Sequence, residues 1–113
     1  MSDNHTIDAT VIESLKEIMG DAFSVLIDTF TDDTGKLVHS FAELQKQNDI
    51  EVFTRNAHSV KSSSANLGAL KMSSIAAELE VQGKTGDISN TNGMIEKITN
   101  EFDLVCKELA NIN

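Results

Sequence analysis

The chain has 113 residues, of which 40% are hydrophobic, and its formal net charge at pH 7 is −9. This length suits a single domain, which we predict over residues 1–113. The acidic balance argues against binding to nucleic acids or anionic membranes, because both need clustered Lys and Arg. The sequence has neither an apolar run near the roughly 20 residues of a membrane span nor a signal-peptide core. The single cysteine, Cys106, allows no internal disulfide and suits a reducing compartment. We therefore predict that the protein is cytoplasmic.

The N-terminal part of the chain is predicted to hold a tail and a short helix. We expect residues 1–7 to form a frayed tail. Thr10 and Glu13 have the spacing of a capping box, which favours a helix start. Gly20 ends the amphipathic stretch that follows.

A longer helix is predicted from Phe23 to Leu44, because apolar residues recur there at alternating steps of four and three. Asp32, Asp33 and Gly35 interrupt its middle, where we expect a kink. The polar stretch 45–48 ends this helix.

The rest of the chain predicts three more helices. Asp49 is the expected N-cap of a helix from Ile50 to Leu67, and Gly68 stands at the position of a C-terminal helix glycine. The next two helices are predicted from Leu70 to Gly83 and, after a loop, from Met94 or Ile95 to Ile112. The predicted fold is therefore all-α, an antiparallel four-helix bundle with a short additional N-terminal helix.

One face of the third predicted helix has the residues best suited to chemistry. On a helical wheel, His58 points about 140° away from Phe53, which lies on the apolar stripe, so its imidazole is predicted to face solvent. Lys61, Ser62 and Ala65 follow at offsets of three, four and seven and share this face.

The surroundings of His58 suit a phosphorylated imidazole. The segment 50–71 has three cations, including Arg55 and Lys61, against one acidic residue, within a chain of net charge −9. A cation one turn away would stabilise the anion that phosphorylation creates. Neutral imidazole is a competent nucleophile at physiological pH. Taken alone, the pattern H-x-x-K is also that of an ordinary solvated helix face.

The run from Ala57 to Ala69, AHSVKSSSANLGA, extends this pattern. It resembles the signature of the histidine-phosphotransfer (HPt) domain family, approximately A-H-x-x-K-G-S-S-x-x-L-G-A. The resemblance covers nearly the whole chain. It includes an acidic cap before the motif at Asp49, an L-x-x-x-F helix segment beginning at Leu26, and a Leu-Glu pair ending at Glu80.

The resemblance implies a four-helix bundle in which His58 is phosphorylated and Lys61 is the cation near the phosphate. It implies a phosphorelay intermediate that accepts its phosphoryl group from a receiver-domain aspartate and passes it to another receiver domain. The implied partners are response-regulator receiver domains and hybrid sensor kinases. For this protein itself, neither a cofactor nor autonomous kinase activity is expected. One position departs from the family: Ser62 stands where the family usually has glycine, which leaves room for the phosphate and the partner.

Hairpin geometry adds two residues to the candidate site. If the third and fourth helices fold back about Ala69, residues equidistant from it lie level, which places Glu80 beside His58 and Lys84 beside Thr54. Glu80 would then accept a hydrogen bond from the imidazole and fix its orientation, as carboxylates do for metal-bound histidines. We assign Thr54, Arg55, Ser62, Ala65, Glu80 and Lys84 to partner docking or to support of the ring, with a plain solvated glutamate as the alternative for Glu80.

Other functions are disfavoured by missing motifs. No H-x-x-x-H or E-x-x-H pair is present, so no metal site is expected. The sequence lacks a Gly-rich nucleotide loop and a G-x-S-x-G element. The alternative that stays open is a non-catalytic helical adaptor, which would bind a partner through the His58 face. The protein is expected to be a monomer.

Overall fold

The computed structural model describes residues 6–112, and helices are its regular secondary structure, as predicted. The helices are α1 (Ala9–Met19), α2 (Ala22–Val38), α3 (Phe41–Gln47), α4 (Ile50–Asn66), α5 (Leu70–Lys84) and α6 (Asn92–Ile112). α2 and α3 together form one arm of a four-helix bundle whose other arms are α4, α5 and α6, and α1 is the additional short helix. Over residues 6–112, no helix is both long and apolar enough to cross a membrane.

The predicted antiparallel arrangement is confirmed by contacts between neighbouring arms. Near the α4–α5 turn, the Ser73 hydroxyl donates to the carbonyl oxygen of Lys61 at 2.9 Å. At the far end of the same pair, Gly83 packs against Thr54. The start of α5 therefore lies beside the end of α4, and the end of α5 beside the start of α4. α6 packs against α5 and α2 and closes the bundle.

The apolar stripe of α4 faces the core, as its spacing predicted. Every member of the stripe is at most 2% exposed: Phe53, Ala57, Val60, Ser64 and Leu67. Phe41 of α3 packs edge to face on Phe53, with ring centroids 5.2 Å apart. Burial of each large apolar side chain contributes roughly 1.5–3 kcal/mol, so this stripe sets the rotation of α4 about its axis. The opposite face of α4 is thereby held towards solvent.

The N-terminal prediction was wrong at two residues. Residues 1–5 of the expected tail lie outside the described residues, but Thr6 and Ile7 are docked on the bundle. The Glu108 carboxylate accepts both of their backbone N–H groups, at 3.2 and 3.0 Å, and the Ile7 side chain is 3% exposed. The helix cap is also earlier than expected: Asp8, not Thr10, is the N-cap of α1, and it accepts from the Thr10 N–H at 2.9 Å.

The long second helix was predicted as one element, but the chain breaks it in two. It stays helical through Asp32, Asp33 and Gly35, where a kink was expected, and the break falls at residues 39–40. There the Ser40 hydroxyl donates to the Leu37 carbonyl oxygen at 2.6 Å. A serine that satisfies a carbonyl of the last turn competes with continuation of the helix, and this local bond was not visible in the apolar spacing.

The turn between α4 and α5 requires the predicted glycine. Gly68 has φ of 77°, and a Cβ at this position would meet the Val11 Cβ at 2.9 Å. The Asp8 N–H also donates to the Gly68 carbonyl oxygen at 2.8 Å, so α1 is attached to this turn. The other predicted ends hold to within three residues: α5 ends at Lys84 and α6 begins at Asn92.

Candidate functional site

His58 lies on the outer face of α4, as the wheel predicted, and its side chain is 59% exposed. The ring is nevertheless not free to rotate. Its Nδ1 atom lies 2.8 Å from Oε2 of Glu80 on α5. Among residues 6–112 this is the ring's hydrogen-bond partner, and it engages one of the two nitrogens only. An ionised carboxylate only accepts hydrogen bonds, so Nδ1 carries a hydrogen, and in the neutral ring the lone pair is then on Nε2.

Glu80 is the centre of a cluster that joins three basic side chains. Its Oε1 atom lies 2.6 Å from Nζ of Lys61, while Oε2 receives His58 and lies 3.5 Å from Nζ of Lys84. The glutamate itself is buried, with its side chain 8% exposed, whereas Lys84 is 68% exposed. Glu80 thus lies beside His58, as the symmetry of the hairpin predicted. The alternative prediction, a plain solvated glutamate, is wrong.

The cluster keeps Glu80 ionised despite its burial. The pKa of this carboxyl is lowered to about 2, first by the hydrogen bond from Lys61 and then by the hydrogen bond from His58, against the opposing effect of burial. The charges of Lys61 and Lys84 lower the same pKa further. At neutral pH Glu80 is therefore a fixed anion behind the imidazole, and it orients the ring with Nε2 towards the outside.

Close packing of α4 on α5 sets the register that aligns these groups. A Cβ at Gly83 would lie 2.0 Å from Oγ1 and 3.0 Å from Cβ of Thr54, so only glycine allows this approach. The Thr54 hydroxyl donates to the Ile50 carbonyl oxygen at 2.8 Å. Thr54 therefore belongs to the hairpin contact, and its hydroxyl already has an acceptor inside α4 rather than one supplied by a partner.

The remaining predicted residues lie where the wheel put them. Arg55, Ser62 and Ala65 are exposed around His58. Ser62 and Ala65 are small, so the surface beside the ring towards the C-terminal end of α4 is low. Lys71, the third cation of the segment 50–71, does not join the site. It lies 3.8 Å from Glu101 on α6 instead.

The contact that Lys61 makes was not predicted from the sequence. It was placed on the open face as a cation for phosphate, whereas its side chain is only 36% exposed and its ammonium is bound to Glu80. The available signal was the position of Glu80 itself: a glutamate level with His58 across an antiparallel hairpin also lies within reach of a lysine one turn further along α4. These positions indicate that Glu80 can reach Lys61 as well as His58, although they do not show which oxygen each of them contacts.

The other histidine and cysteine of the described chain lie elsewhere. His39 is exposed and packs edge to face on Phe102, at 5.9 Å between centroids. Cys106 is half-buried, and burial raises the pKa of its thiol, so it is not primed as a nucleophile. Within residues 6–112, no group of three or more His, Cys, Asp or Glu side chains is arranged to hold a metal ion.

Comparison with known proteins agrees with this geometry. The family model described as "Hpt domain" matches residues 25–111. The structure is similar to the crystal structure of histidine-containing phosphotransfer protein B (HptB) from Pseudomonas aeruginosa PAO1, with a TM-score of 0.87 and 30% sequence identity over 99% of both chains. No curated protein matches the sequence significantly. The chain therefore belongs to the Hpt domain family, the histidine phosphotransfer intermediates of phosphorelay signalling.

Proposed function

We propose that His58 is the residue that accepts the phosphoryl group from a receiver-domain aspartate and passes it to a second receiver domain. The observation that supports this role is that only one of the two ring nitrogens is engaged by the protein. Nδ1 donates to the buried Glu80 carboxylate at 2.8 Å, which leaves the Nε2 lone pair for a partner on a side chain that is 59% exposed. The helix holds the ring in place, and the hydrogen bond at one nitrogen sets which nitrogen can act as the nucleophile.

The proposed step balances without a proton leaving the ring. The Nε2 lone pair attacks the phosphorus of the aspartyl phosphate, and the bond between that phosphorus and the aspartate oxygen breaks. The aspartate departs as a carboxylate, and the ring becomes a phosphoimidazolium that keeps its Nδ1–H. Glu80, whose carboxyl pKa is about 2, stabilises that positive ring charge. Transfer to the next aspartate is the same sequence in reverse.

Catalysis of phosphoryl transfer depends mainly on positioning of the reacting groups and on charge neutralisation. We propose that the partner supplies the metal ion and the acidic pocket, while this chain supplies the ring and the cations Lys61 and Lys84. Arg55, Ser62 and Ala65 are proposed to contact the receiver domain, because their exposed positions border the ring. Hybrid sensor kinases are the proposed origin of the phosphoryl group, and the monomeric state and cytoplasmic location stay predictions.

The decisive test is phosphoryl uptake. The full chain is incubated with a phosphorylated receiver domain or with phosphoramidate, and an acid-labile, base-stable label is followed by intact mass. We expect His58→Gln to abolish the label. His39→Gln is the matched control, because this histidine is also exposed but has no carboxylate partner among the described residues. Absence of label with several receivers and with phosphoramidate, or label that persists in His58→Gln, would leave a non-covalent adaptor.

A further inference from the structure

A second cluster of charged side chains lies between α5 and α6, around a cavity of about 530 Å³ that we call the α5–α6 cavity. Its floor is formed by Ile75 and Glu101, which are 6% and 4% exposed. Its rim is formed by exposed residues, Lys71, Ser74, Glu78, Lys97, Asn100 and Leu104. On the wheel of α5, Glu78 points about 160° away from Glu80, so the cavity and His58 lie on opposite sides of this helix.

The carboxylate of Glu101 at the floor of the cavity is not satisfied by the protein. Its Oε2 atom has no hydrogen-bond partner among residues 6–112, and its Oε1 atom lies 3.8 Å from Nζ of Lys71, too far for a hydrogen bond. Lys71 is 74% exposed, so the pair contributes little in water. Burial without partners is unfavourable for a carboxylate and raises the pKa of this one. An unpaired buried acceptor in a cavity wall is what a bound hydrogen-bond donor would satisfy.

The charges around the cavity have both signs. Lys97 precedes Glu101 by four residues, so the two side chains leave α6 on the same face. Within residues 6–112, Lys97 and Glu78 form no ion pair. Two lysines and two glutamates line the cavity, so its net charge is zero within a chain of −9. A simple cation would be repelled by the lysines and a simple anion by the glutamates, whereas a zwitterion can pair with both.

We propose that the α5–α6 cavity binds a free α-amino acid with an apolar side chain, whose ammonium group pairs with Glu101 and whose carboxylate pairs with Lys97. The cation of the ligand favours the ionised form of Glu101, which burial alone disfavours. The terminal torsion of a glutamate side chain is broad, so either carboxylate oxygen can turn to the ligand. This binding does not require phosphorylation of His58.

The other lining residues suit the remaining parts of such a ligand. The Ser74 hydroxyl and the Asn100 amide can donate to its carboxylate. Ile75 at the floor and Leu104 at the rim offer apolar surface to its side chain, and Leu104 is 51% exposed in the described chain. The volume lies in the range of small-molecule sites, which combine apolar walls with a few convergent polar groups.

Matched probes test the two charges separately. The isotope-labelled full chain is titrated at pH 7 by NMR with L-leucine, with isoamylamine, which lacks the carboxylate, and with isocaproate, which lacks the amine. We expect leucine to give saturable shifts at the amides of Ser74, Lys97 and Glu101, with a Kd of about 0.1–1 mM. Each of the other probes loses one charge-assisted hydrogen bond and should bind about ten- to hundredfold more weakly. No saturation with leucine by about 10 mM, or equal affinity for isoamylamine, would overturn the proposal.

Substitutions at the cavity give the second readout. Glu101→Gln keeps the size of the side chain and should weaken leucine binding about tenfold or more, without loss of stability, because a buried charge without a close partner is removed. Lys97→Met should weaken binding similarly. The matched controls, Glu96→Gln and Lys107→Met, change exposed residues of α6 that do not line the cavity and should leave the affinity unchanged. Unchanged leucine affinity in Glu101→Gln would overturn the proposal, and none of these measurements depends on whether His58 accepts a phosphoryl group.

Discussion

Oε2 of Glu80 accepts the Nδ1–H of His58 at 2.8 Å, across a hairpin that separates the two residues by 22 positions in sequence. The contact joins the exposed face of α4 to a side chain that is 8% exposed on α5. A surface imidazole usually samples several rotamers and both tautomers. Here a buried anion selects one of each, and the chemical role of the ring depends on that selection.

Replacement of Glu80 should separate its acceptor oxygen from its charge. Glu80→Gln keeps an oxygen for the Nδ1–H of His58 but removes the anion that supports a phosphoimidazolium, and Glu80→Ala removes both. Loss of a carboxylate that orients a functional histidine commonly costs on the order of 10- to 100-fold. We expect phosphorylation rates to fall in the order wild type, Gln, Ala, measured by intact mass with phosphoramidate. An Ala variant as fast as the wild type would mean that ring orientation does not limit the reaction.

The same carboxyl makes stability depend on pH in the acid range. The folded-state pKa of Glu80 is about 2, below its ordinary value of 4.5, so the folded state favours the ionised form. Its contribution to stability is full above pH 4.5 and is lost as the pH falls towards 2. Urea unfolding of the wild type at pH 7, 4.5 and 3 should show this decline. Glu80→Gln should have a lower free energy of unfolding at pH 7 and a flatter profile, and parallel profiles would contradict the assignment.

Glu101 presents the opposite case. It is 4% exposed, its Oε2 atom has no hydrogen-bond partner among residues 6–112, and Lys71 lies 3.8 Å from its other oxygen. Burial raises the pKa of this carboxyl, so its ionised form is disfavoured in the folded state and its effect on stability worsens as the pH rises through that pKa. Glu101→Met should therefore stabilise the protein at pH 7 by about 1 kcal/mol. Chemical denaturation at pH 7 and pH 4 checks this, with a smaller gain expected at pH 4.

Ser62 tests how much room the partner needs beside His58. Ser62→Gly should cost up to about 1 kcal/mol of stability, because glycine is a poor helix former, and should keep or improve transfer from a receiver domain. Ser62→Phe should block that transfer but leave labelling by phosphoramidate intact, because the small donor does not cover the helix. A large drop in transfer with Ser62→Gly would instead indicate that the hydroxyl contacts the phosphoryl group.

Gly83 controls the distance between α4 and α5. An added Cβ would lie 2.0 Å from Oγ1 and 3.0 Å from Cβ of Thr54, and rotation of the threonine side chain relieves only the first clash. Gly83→Ala should therefore lower the free energy of unfolding by roughly 1–3 kcal/mol and slow His58 phosphorylation, since Glu80 lies three residues away on the same helix. Thr54→Ala should partly restore both quantities in the double variant. Additive losses in a double-mutant cycle would show that the two residues do not clash.

The helices of the bundle were predictable because each depends on local and periodic features. Apolar spacing predicts the α4 stripe, and the capping side chain of Asp49 predicts where the helix begins. Gly68 predicts the turn, because glycine adopts the positive φ, here 77°, that the turn requires. Features that depend on a distant partner were not predictable in this way. Ile7 was assigned to a tail because the two N–H groups that dock this segment are accepted by Glu108, a hundred residues further along the chain.

The site divides along the same line. The sequence by itself determined that His58 faces outward on α4, because the residues of the opposite stripe must be buried, and hairpin symmetry put Glu80 level with it. Only the tertiary structure decided that Glu80 is buried and that Lys61 and Lys84 meet on its two oxygens, at 2.6 and 3.5 Å. Periodicity specifies the direction in which a side chain leaves its own helix. The ionisation, burial and partners of that side chain depend on how closely a second helix packs, which Gly83 and Thr54 decide at the α4–α5 contact.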